Sequence, residues 1–471
     1  MLEVLVVGYV VALFGISAWS SRQIHSMEDF AVAGRRLSLP WATATLLATW
    51  FGAGTLLTAA DEIKLRGLEA ATLDPIGAGL CLLLAGAFFA GPLWREKLTT
   101  LPELYGRRFG PRAEWLGGLL MVPTYFGWVA AQFIALGQLL HLVFGLDLTL
   151  CIVLVALVGT GYTFVGGMWA VTLTDGLQVL LMILGLGLMT WVVGDAWLDH
   201  GHPLPAGHWR LVPRESVADF VRWTGVLFAG SLGNLPSQDL MQRVFSARSA
   251  RVAVRACLWA GAAYLVLGGM PVFLGLAAAG LPTTEKSVLP MLAQLFLHPA
   301  LAAVFVLTIL SAVLSTIDSA LLAPATVLAQ NVLVRIPGVD RIPELPRNRA
   351  AVLLVAGVSL ALTFSGESAY GLLESAYELT MVCLLAPLVW SVYGPAVPSG
   401  RAVLGMSVPF LAWTLHVALS ADGMLGLEAV PIGIGCTLLS FALFALPIGR
   451  RPPSPNARPG GEPLSIASKP E

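Results

Sequence analysis

The sequence predicts an all-α integral membrane protein of about thirteen transmembrane helices. Three observations carry that expectation. Of 471 residues, 57% are hydrophobic and only 12% are charged, against about a quarter charged in soluble proteins. Apolar runs long enough to cross a bilayer recur along nearly the whole chain. Lysine and arginine concentrate in alternate connections between those runs, as cytoplasmic loops require. A surface this apolar cannot be covered by polar groups in water, so the lipid bilayer is the expected surrounding. The net charge of −1 supplies no field to recruit nucleic acid, and none is expected as a partner.

The runs fall at 2–20, 40–60, 71–93, 115–144, 148–165, 170–194, 219–242, 253–279, 300–332, 350–366, 371–393, 402–420 and 425–447, with a short helix expected at 289–298. The first run has no basic residues before it and positive charges after it, which reads as a span rather than a cleaved signal peptide. Together they make one transmembrane domain, 1–448. Residues 449–471, rich in Pro, Gly and Ser, read as a disordered cytoplasmic tail. The five cysteines are isolated within apolar runs and form no C-x-x-C pair, so neither a disulfide framework nor a metal cluster is expected. Of the 27 basic residues, 21 fall on one side of the alternation and six on the other. That split places the N-terminus outside and the C-terminus in the cytoplasm of a cell (inner) membrane.

Two runs are interrupted near their middle. The second contains Trp50-Phe51-Gly52-Ala53-Gly54-Thr55, and the seventh contains Gly230 to Gln238 with Asn234, Pro236 and Ser237. Unwound backbone inside a bilayer is tolerated only where protein or ligand satisfies it. The two interruptions lie five spans apart, at matching places in units of five helices, about 40–194 and 219–393, which is the arrangement that marks a transporter's central site. The plainer alternative is glycine serving close helix packing.

In the ninth run, Ala312, Ser315, Thr316 and Ser319 share one helix face. That face is small and rich in oxygen, as a dehydrated hard cation requires. Asp175 and Asp318 lie inside spans with no Lys or Arg in the same run, where a carboxylate costs about 2.5–3.5 kcal/mol on insertion scales. A bound cation or a proton is the natural partner. Asp74, Asp239, Glu374 and Glu378 lie nearer run ends and are expected to be solvated. Trp50, Tyr125, Phe126 and Trp128 offer ring faces to a cationic solute, although aromatics in membrane helices more often serve packing, and on sequence alone that reading is favoured.

The run YTFVGGMWAVTLTDGLQ, Tyr162 to Gln178, resembles the signature of the sodium:solute symporter family. The likeness extends through Ala44-Thr45 to Gly54, Gln242-Arg243 and LSTIDSALL around Asp318. The resemblance implies the leucine-transporter-type fold, with two inverted five-helix repeats, and sodium-coupled symport with Na⁺ as the coupling ion. Carried over, the family's main sodium site falls on the carbonyls of Thr49, Gly52 and Ala312 and the hydroxyls of Ser315 and Thr316. A second site, found in some members, falls on Asp175, Ser315, Asp318 and Ser319, with Asp318 standing where hydroxyl-bearing members have Ser. The chain looks most like the high-affinity choline transporter branch, in Ala48-Thr49-Trp50, the run Gly127 to Ala131 and the run Ala87 to Pro92. It departs from that branch at Ser237, where Trp is expected. The implied solute is therefore small and polar, zwitterionic or choline-like, bound by Trp50, Ala53, Tyr125, Trp128, Ser237 and Gln238.

Two other classes of function compete. A membrane solute sensor of the same fold, binding without transport, calls for a folded output domain after Arg450. A membrane enzyme calls for a convergent acid, base or metal set, and the seven histidines form no H-x-x-x-H or similar cluster.

Overall fold

A computed structural model describes residues 2–200, 204–214, 216–281, 288–366, 368–421 and 429–446. The tail expected at 449–471 and part of the last predicted run lie outside the described residues. The helices are α1 (Leu2–Ser20), α2 (Leu39–Trp50), α3 (Gly54–Arg66), α4 (Leu68–Arg95), α5 (Leu101–Phe109), α6 (Pro111–Phe144), α7 (Leu148–His200) and α8 (Val217–Phe228). Then come α9 (Gln238–Ser246), α10 (Ala250–Ala279), α11 (Val288–Phe296), α12 (Pro299–Val327), α13 (Glu344–Leu362), α14 (Ala369–Tyr393), α15 (Ser399–Ala421) and α16 (Ala429–Ala445). Among the described residues there is no strand, and the one isolated bridge joins Leu37 to Ala247.

Among the described residues, nine helices are long and apolar enough to cross a membrane, or ten when α2 and α3 are taken as one bent span. The gap from thirteen has identifiable causes. The runs expected at 148–165 and 170–194 form α7, a single helical stretch interrupted only at Gly167 (φ 54°, ψ −161°). The seventh run is divided into α8 and α9, each too short to span alone. The described apolar part of the last run, Ile432–Ala445, is also short.

The second run is broken as its glycines suggested. α2 ends at Trp50, α3 starts at Gly54, and their axes bend by 57°. Phe51 leaves helical geometry (φ −83°, ψ 64°), and the chain resumes helical bonding from Leu56 N–H to the Gly52 carbonyl (3.0 Å). The seventh run breaks at 234–237, where Pro236 cannot donate to the preceding turn.

The core is centred on α12, whose residues from Thr308 through Val327 are all buried. It packs against α7 and α6. α1 sits at the periphery, with Tyr9, Leu13, Ser17 and Ser20 as its buried residues. α15 and α16 pack chiefly on each other. The expectation that the carboxylates near run ends are solvated fails for three of four: Asp74, Asp239 and Glu378 are buried.

Candidate functional site

The break between α2 and α3 faces the hydroxyl-bearing side of α12. A Cβ placed on Gly52 would collide with the Thr316 side chain, so only glycine permits this approach. Thr316 Oγ1 lies 3.4 Å from the Ala48 carbonyl and 3.4 Å from the Ala312 carbonyl. Thr49 donates from Oγ1 to the Thr45 carbonyl (2.7 Å) and stands 3.1 Å from Ser319 Oγ. Thr49, Gly52, Ala312, Ser315 and Thr316 are thus brought together, and all are buried. Hydroxyls and freed carbonyls in one dry gap offer the oxygen donors that a dehydrated alkali ion needs.

Beside this gap lie the residues predicted as a second set. Asp175 accepts from Thr45 Oγ1 at one oxygen and from Ser315 Oγ at the other. Asp318 accepts from Thr163 Oγ1 (3.0 Å), while its Oδ2 has no hydrogen-bond partner. Tyr162 donates to the Leu314 carbonyl (2.6 Å). Three members of the signature run, Tyr162, Thr163 and Asp175, therefore hold one stretch of α12. Into the same region reaches Arg243, only 1% exposed, donating to Ser319 Oγ and to the Asp239 carbonyl (3.2 Å).

Next to Trp50 a narrow cavity is lined by Trp50, Trp128, Asn234, Asp239, Tyr264 and Tyr377, and a neighbouring one by Tyr125 and Ser237. Asp239 anchors both. Its carboxylate accepts from Trp50 Nε1 (2.8 Å) and from the Tyr125 hydroxyl (2.7 Å). The rings of Tyr125 and Trp128 are tilted against each other at 5.8 Å. Ser237 Oγ is buried without a partner. Behind the break, Tyr264 donates toward the Trp50 carbonyl (3.0 Å) and Asp74 Oδ1 (2.9 Å), while Ala53 N–H donates to Gln132 Oε1 (2.8 Å). Gln132 Nε2 has no partner.

One predicted solute residue turns elsewhere. Gln238 accepts from Leu101 N–H (2.8 Å) and donates to the Thr99 carbonyl (3.0 Å), so its amide ties α9 to the start of α5 instead of facing the cavity. As the first residue of α9 it follows the break, and the chain turn at Ser237 aims it toward the α4–α5 connection.

Comparison with known proteins gives the family and the fold. The sodium:solute symporter family matches residues 30–408. The chain belongs to that family. It is 29% identical over 364 residues to the human high affinity choline transporter 1, covering 70% of this chain and 61% of that one. It is 28% identical over 422 residues to the Drosophila melanogaster high-affinity choline transporter 1, covering 82% and 66%. The chain therefore spans somewhat under two thirds of the length of these two relatives. The sodium/glucose cotransporter of Vibrio parahaemolyticus is 24% identical over 471 residues, covering 88% and 85%. Among solved structures, an outward-open, substrate-bound Na⁺-coupled sialic acid symporter superposes with a TM-score of 0.79 at 18% identity, covering 94% of this chain and 96% of that one. A closed nucleobase-cation-symport-1 family transporter superposes with a TM-score of 0.60 at 15% identity, covering 88% and 93%. The fold is shared with both, and the chain is a multi-pass membrane protein of this family.

Sequence reasoning missed several residues of the site, Tyr377 among them. Asp239 read as a solvated residue near a run end and Arg243 as one of the cytoplasmic loop charges. Gln132 and Tyr264 were not singled out. A signal existed for Asp239 and Arg243: they stand four apart, in one turn after a helix break, where opposite charges share a face.

Proposed function

We propose that this protein is a sodium-coupled symporter that carries a small organic solute by alternating access, and that it is not an enzyme. The observation that carries the reading is the contact between Gly52, in the unwound segment after α2, and Thr316 on the hydroxyl face of α12. An ion held by Thr49, Gly52, Ala312, Ser315 and Thr316 bridges the two elements and favours the state in which the adjoining solute cavity is assembled. Each Na⁺ moving inward gains about 2.3 kcal/mol per 100 mV of membrane potential, enough to drive accumulation. Asp175, Asp318 and Ser319, sharing Ser315, form a place for a second sodium, with the Arg243 guanidinium as a resident competitor on Ser319.

The solute is polar, zwitterionic or choline-like, taken between Trp50, Ala53, Tyr125, Trp128 and Ser237. A buried carboxylate ringed by aromatics, Asp239, favours an ammonium group over a neutral one. The choline transporters among the relatives agree with that direction. Thirteen spans follow if α7 is divided at Gly167 and α8 with α9 is one broken span. The paired breaks then sit in matching places of two inverted five-helix repeats, with the N-terminus outside and the C-terminus in the cytoplasm.

The test is uptake into proteoliposomes, with an inward Na⁺ gradient against K⁺, over a panel including choline, betaine, proline and neutral sugars. A Na⁺-stimulated signal is expected for an ammonium-bearing member of the panel. The Ser315→Ala/Thr316→Ala variant is expected to lose that stimulation while still inserting in the membrane. Unchanged Na⁺ dependence in the variant removes the site assignment, and absence of Na⁺ stimulation across the panel removes the symport reading.

A further inference from the structure

α1 lies outside the proposed repeats, and most of its surface faces away from the protein. Its buried residues form one stripe, Tyr9, Leu13, Ser17 and Ser20, against α7 and α12. Two of them carry hydroxyls to distant segments. Ser17 Oγ donates to the Tyr162 carbonyl (2.8 Å). The Tyr9 hydroxyl accepts from Gln178 Nε2 (3.1 Å) and stands 2.7 Å from Ser311 Oγ. A phenol has one proton. Whichever of the two hydroxyls donates, a chain of hydrogen bonds runs from Gln178 through Tyr9 to Ser311.

Ser311 is fully buried and immediately precedes Ala312, whose carbonyl belongs to the proposed ion gap. The stretch 311–319 is gripped from other sides by Tyr162 at Leu314, Thr163 at Asp318 and Asp175 at Ser315. Tyr9 supplies the grip at its N-terminal end, and of these four grips it is the one from outside the proposed repeats. Ion ligands must be held within about 0.5 Å of their working geometry by the groups behind them, so a contact one residue from a ligand bears directly on affinity.

We propose that Tyr9 is a positioning residue for the sodium site, through which the peripheral helix α1 sets the placement of the ion-binding stretch of α12. The inference rests on the sodium reading above. Without the phenol oxygen, Gln178 Nε2 loses its acceptor and Ser311 its partner, while Gln178 Oε1 already has none. Both side chains then reorient next to Ala312.

The experiment measures saturable ²²Na⁺ binding to the purified full-length protein, with thermal melting in Na⁺-free buffer alongside. Tyr9→Phe is expected to raise the half-saturating Na⁺ concentration about three- to tenfold, as for loss of one buried hydrogen bond, with the melting temperature within about 2 °C of wild type. Ser311→Ala is expected to do the same. The double variant is expected to be no weaker than either single one, because both remove one contact. Should Tyr9→Phe not accumulate, Ser311→Ala carries the measurement. Unchanged Na⁺ affinity, a lowered melting temperature with unchanged affinity, or fully additive effects each overturn the inference. Wild-type protein with no saturable Na⁺ binding instead removes the sodium reading on which it stands.

Discussion

Asp239 is a carboxylate in the middle of a membrane protein whose hydrogen-bond partners are the indole N–H of Trp50 and the phenol of Tyr125. Both donors favour negative charge at this position, while Arg243 donates to the Asp239 carbonyl and to Ser319 Oγ. A cationic group entering the cavity would meet this side chain and the rings beside it. Asp239→Asn keeps the size, removes the charge and leaves one of the two donors facing an amide N–H. Transport of an ammonium-bearing solute is expected to fall about tenfold or more, equivalent to roughly 1.4 kcal/mol, with ²²Na⁺ binding retained. A variant that transports such a solute as well as wild type makes Asp239 a packing residue. Part of this site was legible in the sequence: the hydroxyls of α12 recur at helical spacing, so they could be placed on one face before any contact was known. Asp239 and Arg243 were not, because proximity to a run end normally means proximity to water. In a broken helix the end of an element lies in the middle of the protein, and that inference reverses.

Among the elements, the breaks in the second and seventh runs were legible because glycine and proline mark them. The passage from the fifth run to the sixth was read as a loop, whereas a single residue, Gly167, turns the chain within α7. Its φ of 54° with ψ of −161° belongs to a region that glycine alone occupies readily. A Cβ there would also strike the Phe30 ring and carbonyl. Gly167→Ala is therefore expected to destabilise by about 1–3 kcal/mol from backbone strain, with more from the clash, and to lower the melting temperature of the purified protein. Gly187, in the same helix with nothing within 4 Å of its Cβ position, is the internal control. Gly187→Ala should melt at or above the wild-type temperature, since alanine is the better helix former. Equal melting of the two variants would mean that the turn at Gly167 is not held under constraint.

At the scale of the whole molecule the helical membrane fold follows from composition alone, but the sidedness rests on charge. On the orientation proposed above, retention of Lys and Arg in cytoplasmic loops would put the connection between α7 and α8 outside and the connection between α12 and α13 in the cytoplasm. The two can be distinguished without rebuilding the protein, because all five native cysteines are buried and offer little background to a thiol reagent. Ala206 and Asp340 are exposed, one in each connection. In intact cells a membrane-impermeant maleimide is expected to label Ala206→Cys fully, and Asp340→Cys only after permeabilisation. The opposite pattern would invert the molecule, so that the same break and hydroxyl helix would face a reversed sodium gradient. Labelling of both from outside would place an even number of crossings between them, and the joining of α8 with α9 into one span would have to be given up.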